Sequence, residues 1–191
     1  VAITQRGKDP ATRARPLFTA IENATPETAG RLLGALPRLG GETSAACAAR
    51  VAARTDAKLA AAAVGILARW PDGSALPALA GLAGTAADPG SREAASAAAV
   101  QLLEKARDAW TPARSEALRQ LLGASKDAAA RKALVALLTR ANDETAAGLA
   151  ASLANEAALA EDARYATGAI AANRRGAPKA RGNPAAGAGN A

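Results

Sequence analysis

The sequence predicts an all-α protein: an α-α superhelix of about five antiparallel helix pairs, followed by a disordered C-terminal tail. Three observations predict it. Of the 191 residues, 60 are Ala, the strongest helix former, whereas Leu, Ile, Val and Phe together number only 31. The Leu residues recur at helical spacing, as in Leu32, Leu33, Leu36 and Leu39 or Leu134, Leu137 and Leu138. Helix starts are marked by a capping residue directly before Pro at Asp9-Pro10, Thr25-Pro26, Asp88-Pro89 and Thr111-Pro112. Few large apolar residues and a net charge of +7 would by themselves indicate disorder. The ordered Leu spacing turns that composition into thin helices packed closely through Ala.

The elements follow in order. Asp9-Pro10 opens a helix over 10–22, and Thr25-Pro26 opens one over 26–39. Pro37 lacks an N–H and cannot sit in a helix interior, so that second helix should end or kink near Leu36. Gly40-Gly41 is the turn into 42–54, and Asp56 caps 56–70. Ser74 caps 74–86, where Pro77 falls harmlessly in the first turn. Asp88-Pro89 opens 89–107, Thr111-Pro112 opens 112–123, and Asp127 opens 127–141. Asn142 or Asp143 starts 143–155, and Asp162 serves the last helix, 158–173.

The even-numbered helices resemble one another. Ala62-Ala63-Val64-Gly65-Ile66-Leu67, Ala98-Ala99-Val100-Gln101-Leu102-Leu103 and Ala133-Leu134-Val135-Ala136-Leu137-Leu138 align, so that Leu36, Leu67, Leu103 and Leu138 take equivalent places. One helix pair cannot bury its apolar face alone, whereas stacked pairs can. Asp88-Pro89-Gly90-Ser91-Arg92-Glu93-Ala94-Ala95 and Asp127-Ala128-Ala129-Ala130-Arg131-Lys132-Ala133-Leu134 share an Asp-x-x-x-Arg pattern leading into the second helix. On these segments, the chain resembles the HEAT-repeat family, including its short bacterial variants, over about residues 16–173. The segment from Asp56 departs by lacking Arg at the fourth place, and Glu161-Asp162-Ala163-Arg164 is compressed. The stretch Ile66-Leu67-Ala68-Arg69-Trp70-Pro71-Asp72 with Ala75-Leu76-Pro77 is similar to HEAT domains appended to large exported bacterial proteins. That resemblance implies a module of a larger exported parent. The absence of Met, position 1 included, is read the same way, as a fragment or processed product.

Charge divides the chain into three parts. Residues 1–15 form a basic N-terminal arm with Arg6, Lys8, Arg13 and Arg15 against Asp9. The body carries equal numbers of acidic and basic residues. Residues 174–191 hold Arg174, Arg175, Lys179 and Arg181 without an acid, in a Gly-, Pro- and Ala-rich tail with nothing large to bury. A neutral body argues against duplex DNA as the main ligand.

Composition also narrows the chemistry. The chain has no His, which removes His acid–base catalysis and His metal ligation, and its single Cys47 excludes an internal disulfide or thiolate cluster. Four aromatic residues, Phe18, Trp70, Trp110 and Tyr165, are too few for a single-strand stacking platform. No Ser or Thr has a His or paired Lys beside it, and Gly40-Gly41 lacks the Lys-Ser/Thr of a phosphate loop. No catalytic, cofactor or metal residue is therefore assigned.

Two surfaces remain as candidates. A basic residue stands two places after each aligned Leu, at Arg38, Arg69, Lys105 and Arg140, and Arg174 closes the series. These side chains either complement their own helix dipoles, the reading favoured here, or form a basic edge for an anionic partner. Trp70 and Trp110 follow the ends of two successive second helices. They either cover the core between layers, again the favoured reading, or form an exposed anchor pair. The functional expectation is a non-enzymatic scaffold binding a protein partner or a neighbouring domain of its own chain. The alternative is a solenoid that binds nucleic acid or another polyanion through the basic edge and termini. A third is an enzyme-associated HEAT domain of a lyase-like or glycosylase-like kind, for which no site is found.

Overall fold

The computed structural model describes residues 10–54, 56–106 and 109–176. The Asp9 cap, most of the N-terminal arm and the tail beyond Gly176 lie outside the described residues. The described residues contain helices and turns but no strand. The helices are α1 (Pro10–Asn23), α2 (Pro26–Leu33), α3 (Leu36–Leu39), α4 (Gly41–Ala52), α5 (Ala57–Leu67), α6 (Leu76–Thr85), α7 (Pro89–Lys105), α8 (Pro112–Ala124), α9 (Ala128–Leu138), α10 (Glu144–Leu153) and α11 (Ala160–Gly176).

Packing sorts these into two layers. The first layer runs α1, α4, α6, α8, α10, and the second runs α2, α5, α7, α9, α11. Each helix touches its pair partner and its neighbours in the same layer. That is the topology of a two-layer α-solenoid of five helix pairs, in which stability is built from repeats and their nearest-neighbour interfaces.

The aligned Leu residues anchor the stack. Leu36, Leu67, Leu103 and Leu138 are fully buried, and Ile170 takes the corresponding place in α11. Fully burying such a side chain is worth about 1.5–3 kcal/mol. Between the helices, Ala29, Ala48, Ala63, Ala99, Ala150 and Ala166 are buried, so backbones approach where a larger side chain would hold them apart.

Local chemistry sets the boundaries. Asp56, Asp88, Asp127 and Asp143 each accept a backbone N–H three residues on, at 2.8, 2.7, 2.7 and 3.0 Å. They cap α5, α7, α9 and α10. Pro37 splits the expected 26–39 helix: α2 stops at Leu33, the residue whose carbonyl the Pro ring would strike, and α3 restarts at Leu36. Gly40 and Gly41 have φ of 64° and 73°, a left-handed turn open to Gly.

Four expectations are corrected. Thr111 makes no side-chain cap bond. Ser74 does not cap α6; Asp72 accepts the Ser74 N–H at 2.8 Å and starts a 3-10 turn, Gly73–Ala75, ahead of that helix. Asp162 lies inside the first turn of α11, where it complements the dipole. That helix runs to Gly176, so Arg174 and Arg175 stand on it.

Candidate functional site

The basic series splits in two. The side chains of Arg38, Arg69 and Lys105 are exposed and have no hydrogen-bond or ion-pair partner among the described residues. Arg140, at the same register, reaches back to the end of α7: its Nη1 donates to the carbonyls of Leu103 at 2.9 Å and Glu104 at 3.4 Å, and its Nη2 donates to that of Ala106. Arg174 pairs with Glu144 at 2.5 Å on the surface. One residue earlier, Asn173 donates to the carbonyls of Thr139 and Ala141, both at 2.9 Å, and so ties α11 to the end of α9. The row of cations is therefore interrupted in its C-terminal part.

Trp70 and Trp110 are both buried, 4% and 9% exposed, and neither projects as an anchor. The Trp70 indole donates to the Ser74 hydroxyl at 3.0 Å. The Trp110 indole donates to the Ser115 hydroxyl at 2.8 Å, and Ser115 in turn donates to Asp143 at 2.6 Å. This chain links the loop after α7, helix α8 and the cap of α10. Sequence reading did not find Ser115; its signal is the short Trp-to-Ser spacing that recurs after α5 and after α7.

Packing between repeats is uneven at one junction. In the first layer, α6 and α8 are the closest-packed neighbours, and a Cβ placed on Gly84 would meet that of Ala124 at 3.9 Å. In the second layer, α7 and α9 touch less than any other neighbouring pair. A cleft of about 900 Å³ opens between them. Its floor includes Gly84 and Ala124, and its walls include Ala97, Val100 and Ala130. Glu93 and Lys126 stand at its rim, both without a partner among the described residues. A smaller hollow of about 360 Å³ lies between α2 and α5.

Two charged groups frame this cleft structurally. Arg92 donates to the carbonyls of Ala86 and Ala87 at 2.7 and 3.1 Å, closing the end of α6. The Asp88 carboxyl is held below the usual range, chiefly by the Ser91 backbone N–H that it accepts at 2.7 Å. On the far side of α9, Arg131 pairs with Glu156 at 2.7 Å.

Among the described residues, no three His, Cys, Asp or Glu side chains gather as a metal site. Cys47 is buried, and desolvation pushes its thiol up. No described helix is long and apolar enough to cross a membrane. No known protein family, curated protein or solved structure matches the chain.

Proposed function

We propose that this chain is a non-enzymatic protein-interaction module, a short bacterial HEAT-like solenoid within a larger protein, which seats a polypeptide segment of its partner between α7 and α9. The cleft of about 900 Å³ carries this reading. Its volume lies at the upper end of the range for small-molecule clefts. Its small apolar walls suit a segment with short aliphatic side chains, and Lys126 and Glu93 call for an acid and a base on the occupant.

Selection of a random peptide library on the whole chain tests it. The expected result is enriched peptides that combine short aliphatic residues with an acid. Their binding should fall at least tenfold in Ala97→Trp or Ala130→Trp, substitutions at exposed cleft positions. Failure of any peptide to enrich, or equal binding to the filled-cleft variants, would overturn it.

A second reading rests on the free, exposed Arg38, Arg69 and Lys105, which favour a polyanion along one edge of the stack. Under that reading, retention on heparin survives removal of residues 177–191 and is lost when these three residues become Ala. Loss of all retention on removing the tail excludes it.

A further inference from the structure

We propose that the junction of α7 with α9 is a hinge, with α6 against α8 as its pivot and Arg140 as the strut that sets the width of the cleft. Three observations converge on it. The first layer is tightest at this junction, where Gly84 of α6 lies opposite Ala124 of α8. The second layer is loosest there. The two parallel helices α7 and α9 are open towards their N-terminal ends, where Ala97 and Ala130 face the cleft, and tied at their C-terminal ends, where Arg140 grips the last carbonyls of α7. Tight contact on one side, a gap on the other and a single side chain across the gap is the arrangement of a jaw with a stop.

The stop works because of how α7 ends. The Ala106 N–H bonds to Leu102, after which the backbone turns extended at φ −60° and ψ 121°. The carbonyls of Leu103, Glu104 and Ala106 are thereby left facing outward, and the forked guanidinium can serve several of them at once. No other side chain among the described residues is bonded from α9 to α7. With Arg140 gone, the Leu and Ala contacts of α6 and α8 would still hold the pair together, but the angle between α7 and α9 would be free to change.

The bearing of this hinge on binding rests on the docking reading above; the hinge itself does not. Spin labels on Ala97→Cys with Ala129→Cys measure the cleft, and labels on Pro77→Cys with Ala113→Cys measure the pivot. All four positions are exposed, whereas Cys47 is buried and stays unlabelled in the folded chain. In Arg140→Ala, the cleft distance should lengthen and broaden by several ångströms while the pivot distance holds. Arg140→Lys should fall between, because one ammonium cannot span three carbonyls, and it carries the test if the Ala variant does not fold. Lys105→Ala should move neither distance. An unchanged cleft distance in folded Arg140→Ala, or an equal change at the pivot, would overturn the hinge. A changed distance with unaltered binding of the enriched peptides would instead remove the docking reading and leave the hinge standing.

Discussion

At the ends of α3, α5 and α7, Arg38, Arg69 and Lys105 stand in solvent, whereas at the end of α9 the equivalent Arg140 is bound to three carbonyls of the preceding repeat. The register is the same; the neighbour differs. Helix α5 winds down through its own backbone, with Ala68, Arg69 and Trp70 donating to Val64, Ile66 and Leu67. The Lys105 ammonium makes no bond across that junction among the described residues. Helix α7 stops abruptly, leaves three carbonyls exposed, and Arg140 takes them. The N-terminal pairs are joined chiefly by apolar packing, with Arg50–Glu22 at 2.7 Å on the surface and a single long bond from Arg54 to the Ala24 carbonyl at 3.4 Å. The C-terminal pairs add the Arg140 and Asn173 ties and the Trp110–Ser115–Asp143 chain. A basic residue at a repeated position is thus a tie at one junction and a free charge at others, and Asn173 makes a comparable tie one repeat further on.

The contrast can be challenged at three scales. The largest effect belongs to the buried Leu residues and should ignore it: Leu67→Ala and Leu138→Ala should each cost about 2–5 kcal/mol in chemical denaturation. A much smaller loss at Leu67 would mean that the two ends of the stack differ in core packing as well as in polar ties. The intermediate effect should be asymmetric. Ser115→Ala removes the acceptor of Trp110 and a donor to Asp143 in a buried site and should cost about 1–3 kcal/mol. Ser74→Ala breaks one bond to Trp70 and should cost about 0.5–1.5 kcal/mol. Trp emission and denaturation midpoints together check that order. The smallest effect is on pH. The Asp88 carboxyl titrates lower in the folded chain than in the unfolded one, so its contribution is present above the unfolded value and is lost as pH falls through the folded one. Asp88→Asn should flatten the loss of thermal stability below about pH 4, where unfolded Asp takes up its proton.

Much of the fold was legible because its signals are local. Capping Asp residues, Pro after a cap and Leu at a fixed place in each second helix specify pairs, boundaries and core without reference to the rest of the chain. The break at Pro37 was legible for the same reason. The cleft was not, since it depends on the separation of α7 and α9, which no short window of sequence encodes. Nor was the use of Arg140, which depends on the backbone angles of Ala106 in another repeat. Thr111 misled because a residue before Pro can adopt the cap conformation without its hydroxyl accepting a bond. Trp70 and Trp110 were legible as core covers, yet Ser115, which makes the second of them part of a longer chain, was not.

The outward face of the second layer has a consequence in conformational entropy. Ala61, Ala62, Ala94, Ala97, Ala129, Ala130, Ala133 and Ala136 are all exposed there. An Ala has no rotamers to lose when it is covered, whereas a Lys or Arg forfeits roughly 1.5–2 kcal/mol. Where an encounter covers these Ala residues, their side chains have no rotamer freedom to lose, so that share of the ordering cost falls on the other molecule.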